Sequence, residues 1–242
     1  SPLTMIGSIE DKATFSADHN INVQDMVIKM PGTEVRIPGG YAQFSEAIEK
    51  IFAFEQANNP NLRDYYAYIT VKQRTVGDNQ AQRRPGVHAD GFPESLTEEH
   101  TSIAHTYVLT DNNPTVLYPH AFDFSKANKE QDILPLMEEQ KDESLAIRGE
   151  PYQIIYMDPY TVHRSPEFAP NSNARRTFFR TIFSRRQHNR MGNGHNPLFD
   201  YDWMMYPRGS SRAPLYTLKG VDGSGQAATP ARVGTAEAER KR

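Results

Sequence analysis

Two histidines and one carboxylate can occupy one face of an octahedral metal and leave the opposite positions open, a donor set that suits non-haem ferrous iron. The sequence carries such residues in His88-Ala89-Asp90 and, seventy-three residues after Asp90, His163. His-x-Asp works physically because alternate residues of an extended strand point the same way. An imidazole and a carboxylate two apart therefore reach one metal, and the third ligand must come from a distant strand that folds back. One His-x-Asp among eight histidines in 242 residues is unremarkable by itself. His100, His105, His120 and His188 compete for the third place, and each alone reads more simply as a surface or hydrogen-bonded histidine. What favours His163 is its surroundings. It follows a strand that begins after Gly149, and it lies twelve and thirteen residues before Arg175 and Arg176, which open another strand with Arg180.

The elements that must position these residues are mostly short strands. Met26–Met30 and Thr33–Ile37 flank the turn signal Pro31-Gly32 and read as two strands. Tyr41 to Gln56 repeats Phe44, Ile48, Ile51, Phe52 and Phe54 at mostly three- and four-residue steps, so it reads as an amphipathic helix with a packing face. Tyr65 to Val76 is dense in Tyr, Ile, Thr and Val and is a strong strand. Strands are also expected over 101–110, 115–118, 144–147, 152–157 and 175–184; Asp158-Pro159 turns the chain into Tyr160–His163. Ser125 to Glu143 is charged and helical or loose, with the run Glu138–Glu143 as a solvated face. About eight short strands after one helix, separated by turns, point to a sandwich or jelly roll. The expected organisation is one domain over 1–208, its core about 65–186, followed by a polar tail over 209–242.

Composition bounds the function. The net charge of −3 gives no global pull towards nucleic acid, and the 37% apolar content is adequate for a core. There is no cysteine, which removes disulfides, thiolate metal sites and cysteine nucleophiles together. Any metal site must use histidine and carboxylate. The N-terminus does not read as a signal peptide, and no apolar run approaches the ~18 residues of a membrane span. The expectation is a soluble, cytoplasmic protein.

The segment from Gly149 to His163, followed by Arg175-Arg176-Thr177-Phe178-Phe179-Arg180, resembles the Fe(II)/2-oxoglutarate-dependent oxygenases, and the arginine run is most similar to their taurine dioxygenase branch. The resemblance covers about residues 65–186. It implies a mainly β fold with flanking helices, a double-stranded β-helix (jelly roll, cupin-like). It implies Fe(II), 2-oxoglutarate and O2 as cofactor and co-substrates, with His88, Asp90 and His163 as catalytic metal ligands. Hydroxylation is expected, because halogenases of the superfamily lack the carboxylate that Asp90 supplies here. Desaturation, ring closure and demethylation use the same residues and stay open. The distal carboxylate of 2-oxoglutarate needs an always-charged bidentate fork, which arginine supplies. The resemblance favours Arg176 for it, with Arg175 as competitor and Thr115 as a further contact. On a strand Arg176, Phe178, Arg180 and Ile182 share one face, and Arg175, Thr177 and Phe179 the other.

Arg180, Phe92 and Lys72 are the candidates for substrate contact. Lys72 and Arg74 share a face with Thr70 and read slightly better as solvated. Phe92, Pro93, Tyr107 and Trp203 are either pocket walls or core. From His163 to Arg190 there are seven arginines against one acid, Glu167. They form a pocket for a small anionic or carboxylated molecule, or they pair with acids such as those of 138–143. Two other classes compete with the oxygenase. One is a cupin-like protein that binds a small acid or sugar, or a metal-dependent isomerase, without oxidative turnover. The other is a nucleic-acid-binding module centred on 164–190, against which the net charge argues.

Overall fold

β-branched and aromatic residues fill both long strands of the computed structural model, Tyr66–Val76 and Ala174–Ser184. They pair antiparallel along their whole length, from Tyr66 opposite Ser184 to Val76 opposite Ala174. The structure describes residues 4–77, 86–90, 104–127, 130–168, 173–208 and 231–232. Its elements in chain order are β1 (Thr4–Ser8), α1 (Lys12–Ser16), β2 (Asn22–Lys29), α2 (Ser45–Asn58), β3 (Tyr66–Val76), β4 (His105–Thr110), β5 (Val116–Tyr118), α3 (Glu130–Gln140), β6 (Ile147–Arg148), β7 (Gln153–Met157), β8 (Val162–Arg164), β9 (Ala174–Ser184), β10 (Met204–Met205) and β11 (Ala231–Arg232). The protein is mainly β. Six strands form one antiparallel sheet in the order β1-β7-β4-β9-β3-β2, and three form another in the order β6-β5-β8.

Alternation along the strands divides the large sheet into two chemically different faces. Ala67, Ile69 and Val71 of β3, with Phe179 and Phe183 of β9 and Tyr107 and Leu109 of β4, pack against Ala47, Ile48 and Ile51 of α2 and Phe44 just before it. Aromatic contacts lock this layer, with Phe44 stacked on Phe179 at 5.2 Å and Phe52 edge-on to Phe183 at 4.8 Å. The opposite face presents Thr70, Arg176, Phe178 and Arg180, and Arg176 is fully buried there. Val108, Leu117, Ile155, Met157 and Phe178 make one buried cluster that joins the two sheets. α3 covers the far side of the small sheet, where Ile133 and Met137 meet Val116, Tyr118, Val162, Val87 and Ala89.

Five local expectations change. The 33–37 stretch is not a strand, although the Arg36 amide still bonds the Ile28 carbonyl. β2 begins four residues before Met26, because register shifts in its pairing with β3 break the alternation that marks a strand. A 3₁₀ turn over Gly39–Phe44 precedes the helix, and another over Glu143–Leu145 takes most of the strand expected at 144–147. The acidic run 138–143 is not simply solvated: Glu138 accepts from the Val87 amide, and Glu143 pairs with Arg164 and accepts from the Tyr118 hydroxyl. No helix among the described residues is long and apolar enough to cross a membrane.

Candidate metal centre

His88 enters the small sheet as an isolated bridge. Its amide donates to the His163 carbonyl at 2.9 Å, and the His163 amide donates back to the His88 carbonyl at 2.8 Å. Two residues directly opposed in this way carry their side chains on the same face. Val87 and Ala89 are buried in the α3 cluster, so alternation sends His88 and Asp90 to the other side. His163 is anchored from β8, where it pairs with Leu117 of β5. The result is one group, His88, Asp90 and His163, whose ligand atoms all lie within 4.8 Å of one another. The imidazole centroids are 4.5 Å apart, and His88 Nε2 is 3.9 Å from Asp90 Oδ1. Among the described residues no other set of three histidines or acids comes together in this way.

Both imidazoles are held alike. His88 Nδ1 lies 3.0 Å from the Gly86 carbonyl and His163 Nδ1 lies 2.9 Å from the Thr161 carbonyl. A carbonyl only accepts, so Nδ1 is the donor in each pair and Nε2 is the ring nitrogen that can ligate a metal. The positive φ of Gly86, +83°, turns the chain so that its carbonyl meets the ring two residues on. His163 is 7% exposed and Asp90 is exposed, so the cluster has a buried side and an open side. A metal with ligands at ~2.1 Å needs neighbouring donors about 3 Å apart, and small side-chain rotations bridge that difference. The donor types, the shared tautomer and the spacing fit a divalent metal.

The arginines part company. Arg176 donates from Nε to the Asn112 carbonyl and from Nη2 to the Asn113 carbonyl, each at 2.9 Å. It lies between Phe168 and Phe178, with ring centroids 5.7 and 5.6 Å from its guanidinium carbon. The turn it clamps runs directly into Thr115, which is buried. Arg175 is on the other face in an ion pair with Asp18. Arg180 is buried, bonds Asp25 Oδ1 at 2.7 Å, and has Nη1 3.8 Å from Asp90 Oδ2. Burial opposes the charge on Asp25, yet Arg180, with hydrogen bonds from Gln24 and Thr70, holds its carboxyl far below the usual carboxylate range.

Lys72 is half-buried and bonds Asn22 on the neighbouring strand. Phe92 and Pro93, like His100, lie outside the described residues. Tyr107 is a core residue on the α2 side, away from the metal ligands, where its hydroxyl donates to Glu55. Trp203 packs on Tyr66 and Tyr201. The competing histidines are engaged elsewhere: His105 with Glu55, His120 with the Gln140 carbonyl, and His188 stacked on Tyr68 at 4.1 Å. The other arginines are dispersed, Arg164 onto Glu143 and Arg185 over Tyr65. A cavity of about 360 Å³ lies beyond the end of β5, lined in part by Tyr118, His120, Phe122 and Tyr160; none of the three ligand residues lines it.

Asp25 is the site residue that the sequence reading passed over. Its one signal is an acid close to the apolar residues Val23, Met26, Val27 and Ile28. Comparison with protein-family models and with curated proteins gave no match to this chain. Fold and site together define a mainly β protein with a His-Asp-His group able to hold a metal ion.

Proposed function

We propose that this chain is an Fe(II)- and 2-oxoglutarate-dependent oxygenase that hydroxylates, or otherwise oxidises, an unactivated C–H bond of a small molecule. The observation that carries the reading is the His88–Asp90–His163 group, whose ligand atoms lie within 4.8 Å of one another, with each Nδ1 held by a backbone carbonyl. Strand order supports the jelly-roll part of it. Eight consecutive segments can be numbered from β3 (first) through the His88 bridge (second), then β4, β5, β6, β7, β8 and β9 (eighth). One sheet then contains the sixth, third, eighth and first, and the other the fifth, fourth, seventh and second. That interleaving is the strand order expected of a double-stranded β-helix, two Greek keys closed on each other, and it supports that reading.

Bound ferrous iron with 2-oxoglutarate and O2 would supply the oxidation, releasing succinate and CO2; the hard chemistry belongs to the cofactor. The chain's own residues have separate tasks. His88, His163 and Asp90 hold the metal on one face. Arg176 binds the distal carboxylate of 2-oxoglutarate, its guanidinium fixed by the two carbonyls and flanked by Phe168 and Phe178. Val108, Leu117 and Phe178 exclude water between the sheets. Arg180 and Lys72 remain candidates on the substrate side. Because Asp25 already balances Arg180, that side does not require an anionic group of the substrate.

Anaerobic titration with Fe(II) and 2-oxoglutarate tests the reading. The expected result is a weak metal-to-ligand absorption in the visible that disappears in His88→Ala, and succinate release in air with the right small molecule. A folded protein that shows no such absorption overturns it.

A further inference from the structure

We propose that Arg180 is a positioning residue for Asp90, locked in place by Asp25, and that this relay decides which oxygen of Asp90 faces the metal. The inference rests on the metal-centre reading above and adds residues from outside the ligand set.

The relay begins at an irregularity in β2. The pairing of β2 with β3 slips between Val23 and Met26, and Asp25 lies there with φ +42°. A bulge re-aims a side chain, and a left-handed non-glycine residue persists only where its surroundings hold it. Here they do. The Thr70 hydroxyl accepts from the Asp25 amide at 3.0 Å and lies 2.9 Å from Asp25 Oδ1, to which it donates. Gln24 Nε2 donates to Oδ2 at 3.0 Å. Behind the bulge the Gly194 amide bonds the Gln24 carbonyl at 2.7 Å. A bulge so supported, carrying a half-buried carboxylate onto Arg180, is poorly explained by packing alone.

Its target is Arg180. Arg180 Nη2 bonds Asp25 Oδ1, which orients the guanidinium and leaves Nη1 3.8 Å from Asp90 Oδ2. The other oxygen of Asp90, Oδ1, is the one 3.9 Å from His88 Nε2. The two carboxylate oxygens are therefore divided, one towards His88 and one towards the arginine. A carboxylate can bind a metal through one oxygen or both. A cation held against Oδ2 favours the one-oxygen mode and keeps a further metal position available. Asp25 has a second effect. An uncompensated guanidinium this close would repel an incoming divalent cation, and the half-buried Asp25 charge offsets that repulsion.

The test is Mn(II) binding by calorimetry, without co-substrate, to the full chain and to Arg180→Met, Arg180→Lys, Asp25→Asn and the double variant Asp25→Asn/Arg180→Met. Loss of an outer-shell partner of this kind weakens metal binding by roughly 10- to 100-fold, and that is the expectation for Arg180→Met. Arg180→Lys should recover part of the loss. Asp25→Asn should weaken binding with Arg180 intact, because the guanidinium is then loosened and uncompensated. Arg180→Met leaves the half-buried Asp25 without its ion-pair partner, so the double variant, which removes both charges, keeps the test open if the single variant does not fold. Mn(II) affinity equal to wild type in folded Arg180→Met or in the double variant overturns the proposal while the metal-centre reading stands. No Mn(II) binding by the wild-type chain overturns both.

Discussion

His88 and His163 exchange both of their backbone hydrogen bonds, at 2.9 and 2.8 Å, although 75 residues separate them in the chain. The pair makes the ligand geometry a property of the sheet and not of a loop. Truncating either imidazole should therefore leave the backbone bridge in place. Mn(II) affinity is expected to fall by more than ~100-fold in His88→Ala and in His163→Ala, beyond the loss expected for an outer-shell residue, while the far-ultraviolet circular dichroism stays that of the wild type. If His163→Ala keeps wild-type affinity, one of the other histidines is the third ligand.

Arg175 and Arg176 are adjacent in sequence and lie on opposite faces of β9. Arg176 is enclosed by the 112–113 carbonyls and two phenylalanines, whereas Arg175 is paired with Asp18 at the surface. Arg176→Lys keeps the charge and loses the planar fork. The 2-oxoglutarate concentration needed for half-maximal succinate release should rise about 10-fold or more in Arg176→Lys, the scale of one strong hydrogen bond to a charged group. In Arg175→Ala it should change by less than about 2-fold, because exposed ion pairs contribute little. A reversed order would place the co-substrate on the other face of β9.

Much of this arrangement was legible beforehand, for physical reasons. β3, β9 and α2 announce themselves by period, and the face that Arg176 shares with Phe178 and Arg180 follows from simple alternation. That His88, Asp90 and His163 share one metal is an inference from spacing and resemblance; the structure brings the three together within 4.8 Å. Where alternation fails, legibility fails with it. The bulge in β2 hid both the start of that strand and the role of Asp25. Glu138 and Glu143 looked like a solvated run because charge patterning says nothing about long-range partners such as Val87 and Arg164.

Gly194 offers a test of that bulge from the outside. A Cβ added there would meet Val23 Cγ2 at 2.3 Å and Met26 Cβ at 2.9 Å, on the two residues that bracket the register slip. β2 is held from its other side by β3, so the new methyl group must displace it. Gly194→Ala is expected to destabilise the protein by about 1–3 kcal/mol, the usual scale of overpacking, read from denaturant unfolding. A neutral result would mean that the 188–196 segment moves away easily and does not brace Asp25.

Glu55 sets the acid limit of the α2 layer. It is 1% exposed, yet it accepts from Tyr107, lies 2.6 Å from His105 Nδ1 and accepts from Asn59. Burial alone would raise its carboxyl, but the hydrogen bonds from His105, Tyr107 and Asn59 outweigh burial and hold it below the ordinary glutamate range. A folded-state value below the unfolded one means that the stabilisation is fully present above the unfolded value of 4.5. It is lost as pH falls from there through the lower folded value. Unfolding free energy should therefore drop on acidification below about pH 4.5, with part of that drop absent in Glu55→Gln. At pH 7 the same variant should lose about 1–3 kcal/mol, because an amide cannot accept from all three partners and leaves buried donors unmatched. Equal pH slopes in wild type and variant would assign the acid sensitivity to other carboxylates, first among them Asp25, whose pairing with Arg180 has the same sign.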